Sequence, residues 1–90
     1  MSDGSAIKRY LAMAMRKPNF NEAVVAPHLA FLDGLRLAGK LEMTGGFSDK
    51  SGGAYVLNVD TLAEALTIAA DDPLTTSDSS ILTVYEWNTR

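Results

Sequence analysis

His28 is the residue of this sequence best suited to proton-transfer chemistry. It is the only histidine among 90 residues, and the chain contains no cysteine. A histidine side chain gains or loses a proton near neutral pH, so it is suited to general acid or base catalysis. The same residue also fits a structural role, in which a buried imidazole bonds to a neighbour and fills space between a helix and a sheet. The residue type and position leave both hypotheses open.

Three further positions are candidates for a site. Asp72 precedes Pro73, and an aspartate at such a position commonly bonds to nearby backbone and orders the turn. Gly46, which follows Gly45, either lets a ligand approach the backbone or belongs to a bulge at a strand end. Asp49 lies in a loop rich in glycine and serine, where it is either a binding residue or a turn former.

Composition excludes several other classes of function. The lack of cysteine excludes disulfides, thiolate metal sites and cysteine nucleophiles. Because there is a single histidine and the carboxylates lack the spacing of a calcium loop, we expect no metal site. No phosphate-binding loop is present, so we expect no cofactor. The sequence also lacks a Ser-His-Asp motif for nucleophilic catalysis. A net charge of −3 argues against nucleic acid as a partner. The apolar run at residues 10–15 is far shorter than the roughly 20 residues of a membrane span, so we expect a soluble, cytoplasmic protein without membrane contact.

The first half of the chain is predicted to form a strand and a helix. Apolar residues alternate over residues 7–15 and leave both faces of that strand mostly apolar. An irregular turn is expected at residues 21–26, because a proline inside a regular helix is destabilising, and the regular helix is expected at residues 27–38. Helical spacing places His28 on the same stripe as Leu32, so the imidazole points towards the core.

The second half is predicted to begin with a hairpin of two strands, at residues 41–44 and 54–59. A helix at residues 62–70, a polar loop at 75–80 and a last strand at 81–87 follow. Thr61 and Glu64 have the spacing of a capping box at the start of the helix. Asp72 ends it, because a residue before proline disfavours the helical conformation. The charged residues around the first strand, including Arg16, are interpreted as solvated strand ends.

The resulting order βαββαβ predicts a single α+β domain at residues 6–90, preceded by a flexible leader at residues 1–5. Two right-handed split βαβ units form a four-stranded antiparallel sheet with both helices on one face, the ferredoxin-like arrangement. The other face of the sheet is also apolar. A second copy of the same sheet is its simplest cover, so we expect a homodimer.

Several segments, taken in order, resemble the YCII-related family. They are HLAFLDGLRLAG at residues 28–39, TGG at 44–46, GAYVLNV at 53–59, DDP at 71–73 and VYEW at 84–87. The resemblance implies a dimeric α+β barrel, in which two ferredoxin-like protomers pack sheet against sheet. It also implies that His28 and Asp72 correspond to a His and Asp pair that is treated as the active site in the family.

The resemblance leaves two hypotheses about function. The first is a cofactor-independent lyase or isomerase, in which His28 moves a proton on a small cyclic or aromatic molecule and Asp72 orients the imidazole, with Gly46 and Asp49 as binding residues. The second is a non-catalytic ligand-binding or interaction module with a structural histidine. An imidazole that is accessible from a pocket favours the first, and a sealed imidazole favours the second.

Overall fold

A computed structural model describes residues 7–90, so the predicted leader lies outside the described residues. The strands are β1 (Ile7–Arg16), β2 (Leu41–Gly46), β3 (Gly52–Leu57) and β4 (Ser80–Thr89), and the helices are α1 (Val25–Leu37), α2 (Leu62–Asp71) and α3 (Pro73–Thr76). The sheet is antiparallel in the order β2-β3-β1-β4. This order confirms the predicted ferredoxin-like fold. Among the described helices, none is long and apolar enough to cross a membrane.

Strand β1 lies in the middle of the sheet and supplies part of the core. Its even-numbered residues point towards the helices, and Tyr10 and Ala12 are almost completely buried there. They pack with inward-facing residues of β2, β3, α1 and α2. The main core cluster consists of Tyr10, Ala12, Leu32, Leu41, Tyr55, Leu57, Ala65 and Ile68. Both long helices therefore cover the same face of the sheet, as predicted.

Helix α1 begins two residues earlier than predicted. A 3-10 turn at Glu22–Val24 replaces the expected irregular segment, and α1 continues directly from it at Val25. Pro27 is accommodated because it falls in the first turn of α1, where backbone N–H groups have no partner within the helix. The next residue is His28, and Leu32 one turn later is buried in the core. The imidazole is thus carried by a helix that is anchored to the sheet.

The pairing of β2 with β3 excludes the bulge alternative for the glycine pair. Gly45 and Gly46 pair regularly with β3, and the irregularity lies earlier, between Leu41 and Met43. A Cβ on Gly53 would lie 2.5 Å from the carbonyl oxygen of Gly45, so the two strands approach too closely for a side chain there. Glycine at position 53 therefore allows β3 to begin at Gly52, two residues earlier than predicted.

The predicted polar loop at residues 75–80 is wrong in its first part. The short helix α3 begins at Pro73, and the carboxylate of Asp72 caps it by accepting a hydrogen bond from the N–H of Leu74 at 2.8 Å. Aspartate before a first-turn proline is a favourable start for a helix. Strand β4 then begins at Ser80, one residue earlier than expected.

The sheet face opposite the helices, which we call the open sheet face, carries many apolar side chains. Strand pairing aligns Leu11 of β1 with Val56 of β3 and Tyr85 of β4 on this face. Its apolar residues include Ile7, Leu11, Met13, Met15, Val56, Ile81, Tyr85 and Trp87. Within the described chain, Ile81 is 61% exposed and Trp87 is 46% exposed. The predicted two-sided apolar sheet is therefore present.

Candidate active site

A contact between His28 and Asp72 joins α1 to the junction of α2 and α3. The Nδ1 atom of His28 lies 2.9 Å from Oδ1 of Asp72, although 44 positions separate the two residues. His28 is held by the early part of α1, and Asp72 both ends α2 and caps α3. The structure therefore brings together the two residues to which the sequence analysis gave catalytic roles.

The carboxylate of Asp72 is fully buried and accepts hydrogen bonds from three elements. Besides His28, Oδ1 accepts from the N–H of Leu74 in α3, and Oδ2 accepts from the hydroxyl of Tyr55 in β3 at 2.9 Å. A buried carboxylate needs such donors, because an unpaired buried charge is strongly unfavourable. The fixed carboxylate directs the Nδ1 proton of His28 towards itself. Nε2 is then the ring nitrogen left for a ligand.

Tyr55 acts in this arrangement as a donor. Its side chain is 1% exposed, and its ring lies 6.2 Å from the imidazole between centroids. Burial raises the pKa of Tyr55 far above that of a free tyrosine, and the negative charge of Asp72 and the hydrogen bond to it add smaller increases. The hydroxyl therefore remains a donor to the carboxylate at alkaline pH, where a free tyrosine would lose its proton.

The raised pKa of Tyr55 predicts a loss of stability at alkaline pH. A free tyrosine loses its proton near pH 10, so above this pH the unfolded chain binds fewer protons than the folded chain. The free energy of unfolding should then fall with pH by about 1 kcal/mol per unit because of this residue. Urea unfolding between pH 9 and 12, at fixed protein concentration, should show a shallower decline for Tyr55→Phe. Equal slopes in the two proteins would contradict the assignment.

A cavity of about 360 Å³ lies next to the imidazole, between α1 and the sheet. This volume is near the lower end of the range of small-molecule sites, about 300–1,000 Å³. The polar residues of its lining are Arg16, His28, Thr44, Tyr55 and Ser80. The apolar and glycine residues are Ala14, Phe20, Val25, Leu29, Leu32, Gly45, Gly46, Gly52, Gly53, Ala54 and Leu74. The side chain of His28 is 17% exposed, so the imidazole is reachable and not sealed in the core.

The two predicted binding residues occupy different places. Gly46 lines the cavity, and a Cβ built on it would approach one protein atom, the carbonyl oxygen of Gly52 at 3.8 Å. Asp49 lies in the turn between β2 and β3 and is not among the lining residues. Its carboxylate accepts a hydrogen bond from the N–H of Ser51, and hydrogen bonds from Ser51 lower the pKa of Asp49. Gly46 remains a binding candidate, whereas the contacts of Asp49 belong to the turn.

Sequence reasoning did not assign three of the lining residues to the site. Arg16, interpreted as a solvated strand end, lines the cavity, and so does Ser80 from the predicted polar loop. Arg16 belongs to the same alternating set as Ala12 and Ala14, which gives a signal once the inward face of β1 is known. Tyr55 reaches Asp72 through the pairing of strands, and no local pattern indicates that contact.

The protein is a small α+β protein with a ferredoxin-like fold. It has a pocket between helix and sheet, and a paired imidazole and carboxylate lie at the wall of that pocket. The chain belongs to the YCII-related domain family, whose model matches residues 8–88. This match agrees with the resemblance noted from the sequence.

Two of the similar proteins resemble this chain over nearly its whole length. It is 50% identical over 78 residues to the uncharacterised protein YjpA of Bacillus subtilis, which covers 87% of this chain and 92% of that protein. The fold is similar to that of 5-chloro-2-hydroxyhydroquinone dehydrochlorinase from Burkholderia phenoliruptrix, solved in complex with 2,5-dihydroxybenzoquinone. That comparison has a TM-score of 0.72 at 20% identity and covers 89% of this chain and 93% of the other.

A hydroxynitrile lyase from Passiflora edulis is a more distant structural match. It has a TM-score of 0.48 at 13% identity, covering 92% of this chain and 94% of the other. This likeness is too weak to support an argument. The fold assignment therefore relies on the family match and on the dehydrochlorinase.

Proposed function

We propose that the protein is a small enzyme that transfers a proton on a cyclic or aromatic organic molecule, in an isomerisation or an elimination. The observation that carries the proposal is the reachable imidazole of His28, held by a buried carboxylate at the wall of a cavity of about 360 Å³. A general base needs this combination of fixed orientation and access. The likeness in fold to a dehydrochlorinase is consistent with elimination chemistry, but a shared fold does not select the reaction.

In the proposed mechanism, the lone pair of Nε2 of His28 takes a proton from a carbon or hydroxyl of the substrate. The carboxylate of Asp72 stabilises the imidazolium that forms and keeps the ring in position. In an isomerisation, Nε2 returns the proton at another atom of the substrate. In an elimination, the leaving group departs with its bonding electrons, and the imidazolium later releases the proton to solvent. The proposal requires no metal or cofactor.

The test is a screen for turnover of small cyclic acids, phenols and hydroxyquinones. Reactions are followed by proton NMR in D₂O, because proton abstraction from carbon replaces hydrogen with deuterium and product formation changes the spectrum. Wild type and His28→Gln are compared on each compound. A reaction that is strongly slowed in His28→Gln supports the enzyme hypothesis.

The second candidate is a non-catalytic module that binds a ligand or a partner protein. The observation in its favour is that Asp72 caps α3 and bonds to buried Tyr55, so its carboxylate has a structural role. The hydrogen bond between Asp72 and His28 can belong to the same structural network. In that case a compound would bind in the cavity without being changed by wild type. A cytoplasmic location remains part of both candidates.

We also propose that the protein forms a homodimer through the open sheet face. Apolar side chains of β1 and β4 are exposed there in the single chain, including Tyr85 at 48% and Trp87 at 46%. Such a continuous apolar surface is unfavourable in water, and a second copy of the same sheet would bury it. The two sheets would then pack face to face as a barrel.

Leu11→Arg should convert the dimer to a monomer. Leu11 lies at the centre of the open sheet face, between Val56 and Tyr85, so an arginine would place charge in the interface. Light scattering at micromolar concentration should give the mass of two chains for wild type and of one chain for the variant. The matched control is Leu37→Arg, because Leu37 is 91% exposed on α1, and it should remain dimeric. A monomeric wild type would contradict the proposal.

A further inference from the structure

The hydroxyl of Ser80 has no hydrogen-bond partner although it is buried. Ser80 is 6% exposed and lines the cavity, and among the described residues its Oγ is the buried side-chain polar atom without a partner. A buried hydroxyl has lost its hydrogen bonds to water, so an unpaired one is unfavourable in a folded protein. A bound ligand that accepts a hydrogen bond from Oγ would remove this cost.

Arg16 supplies a positive charge to the lining of the same cavity. It is the direct neighbour of Ser80 in the pairing of β1 with β4. Its guanidinium carbon lies 4.1 Å from the centroid of the Phe20 ring, which holds the head group in place. In the described part of the chain, the carboxylate nearest to it is that of Glu22 at 4.0 Å, too distant for a hydrogen bond. The N–H donors of the guanidinium are therefore available to a ligand.

The charges around the cavity favour an anion. None of its lining residues is an aspartate or glutamate, and Arg16 contributes a guanidinium to the lining. The carboxylate of Asp72 lies behind the lining, where it is bonded to His28, Tyr55 and Leu74. We propose that the cavity binds a small organic carboxylate, whose oxygens accept hydrogen bonds from the guanidinium of Arg16 and the hydroxyl of Ser80. A planar guanidinium matches a carboxylate with two parallel hydrogen bonds. This inference rests on the proposed function only in taking this cavity as the substrate site, and it specifies an anionic substrate held beside His28.

The test compares a carboxylate with a neutral molecule of the same shape. Benzoate and benzamide are titrated into the full-length protein, and binding is measured from amide chemical shifts in NMR spectra. Benzoate should bind at least tenfold more tightly than benzamide, with the largest shifts in the residues that line the cavity. Equal affinities, or no binding of benzoate up to 50 mM (about the limit for a weak fragment), would overturn the proposal.

Two variants assign the preference to its residues. Arg16→Met keeps much of the apolar stem and should weaken benzoate at least tenfold while leaving benzamide unchanged. Ser80→Ala should weaken benzoate severalfold without lowering the melting temperature, because it removes a hydroxyl that has no partner in the folded chain. Arg36→Met, on α1, removes the same charge away from the cavity lining and should bind benzoate like wild type. Unchanged benzoate affinity in Arg16→Met would overturn the proposal.

The outcome can be separated from that of the proposed function. Benzoate should still bind to His28→Gln, because the carboxylate subsite does not use the imidazole. Binding that depends on Arg16, without any turnover that depends on His28, supports the carboxylate subsite and contradicts the enzyme hypothesis. Turnover that depends on His28, with benzoate indifferent to Arg16, supports the enzyme hypothesis and overturns the subsite.

Discussion

Replacing His28 with glutamine should lower the rate of the proposed reaction by about a hundredfold to ten-thousandfold, the usual contribution of a positioned acid or base. Glutamine is a similar length and keeps a polar group next to Asp72, so the change removes chiefly the ability to take and release a proton. We expect kcat to fall much more than KM changes, because the proton moves in the chemical step. If His28 only helped to bind the substrate, its replacement would change KM and leave kcat almost unchanged.

No other side chain of the cavity lining can readily take over the proton transfer. Tyrosine keeps its proton at neutral pH, and burial and Asp72 raise the pKa of Tyr55 further, while the guanidinium of Arg16 offers donors and no acceptor. The hydroxyls of Thr44 and Ser80 are very weak acids and bases. The activity of the variant should therefore be low throughout the neutral range, without recovery at a shifted pH.

The matched control for this prediction is Arg36→Gln. Arg36 is an exposed residue on the same helix and is not among the lining residues, so its variant should retain the wild-type rate. Both variants should also retain the wild-type fold, as measured by circular dichroism and melting temperature. If His28→Gln turned over the substrate as fast as wild type, the imidazole would not be catalytic and the binding-module hypothesis would be preferred.

Local patterns in the sequence were sufficient to predict the order of elements. Alternation predicted β1, and the spacing of Thr61 and Glu64 predicted the start of α2, where the hydroxyl of Thr61 accepts from the N–H of Glu64 at 3.1 Å. These signals are reliable because each depends on a few neighbouring residues. Besides shifted boundaries, the one α-helix missed among the described residues was the short helix α3, where one carboxylate serves as a helix cap and as the partner of His28.

The composition of the site was harder to predict, because it depends on contacts between distant segments. Nothing near Tyr55 in sequence indicates that its hydroxyl reaches Asp72, since that contact requires the register of β3 and the position of α3. The pairing of Arg16 with Ser80 likewise requires β1 and β4 to align over ten residue pairs. The resemblance to a family supplied the His28 and Asp72 pair, and the structure added the residues around it.

Replacing Asp72 with alanine should destabilise the protein by about 3 to 5 kcal/mol, a large part of the roughly 5 to 15 kcal/mol that stabilises a typical domain. The variant leaves the hydroxyl of Tyr55 and the N–H of Leu74 buried without an acceptor, and it removes the partner of His28. It also removes the cap of α3. The free energy of unfolding is measured with urea at pH 7 and a fixed protein concentration.

Asp72→Asn separates the structural role of this side chain from its role towards the imidazole. The amide oxygen can still accept from Leu74, and the hydroxyl of Tyr55 can turn to accept from the amide nitrogen, so the loss of stability should be smaller, about 1 to 3 kcal/mol. Without the negative charge, an imidazolium at His28 is no longer stabilised, so kcat should still fall at least tenfold even where the variant is fully folded. Wild-type activity in a folded Asp72→Asn protein would limit Asp72 to a structural role.

The adjacent aspartate provides the control for both variants. Asp71 ends α2 and is exposed, whereas Asp72 is fully buried, although the two differ by one position. Asp71→Ala should therefore change the free energy of unfolding by no more than about 0.5 kcal/mol and leave activity unchanged. A comparable loss of stability in the Asp71 and Asp72 variants would mean that the end of α2, and not the buried network around the carboxylate, is responsible.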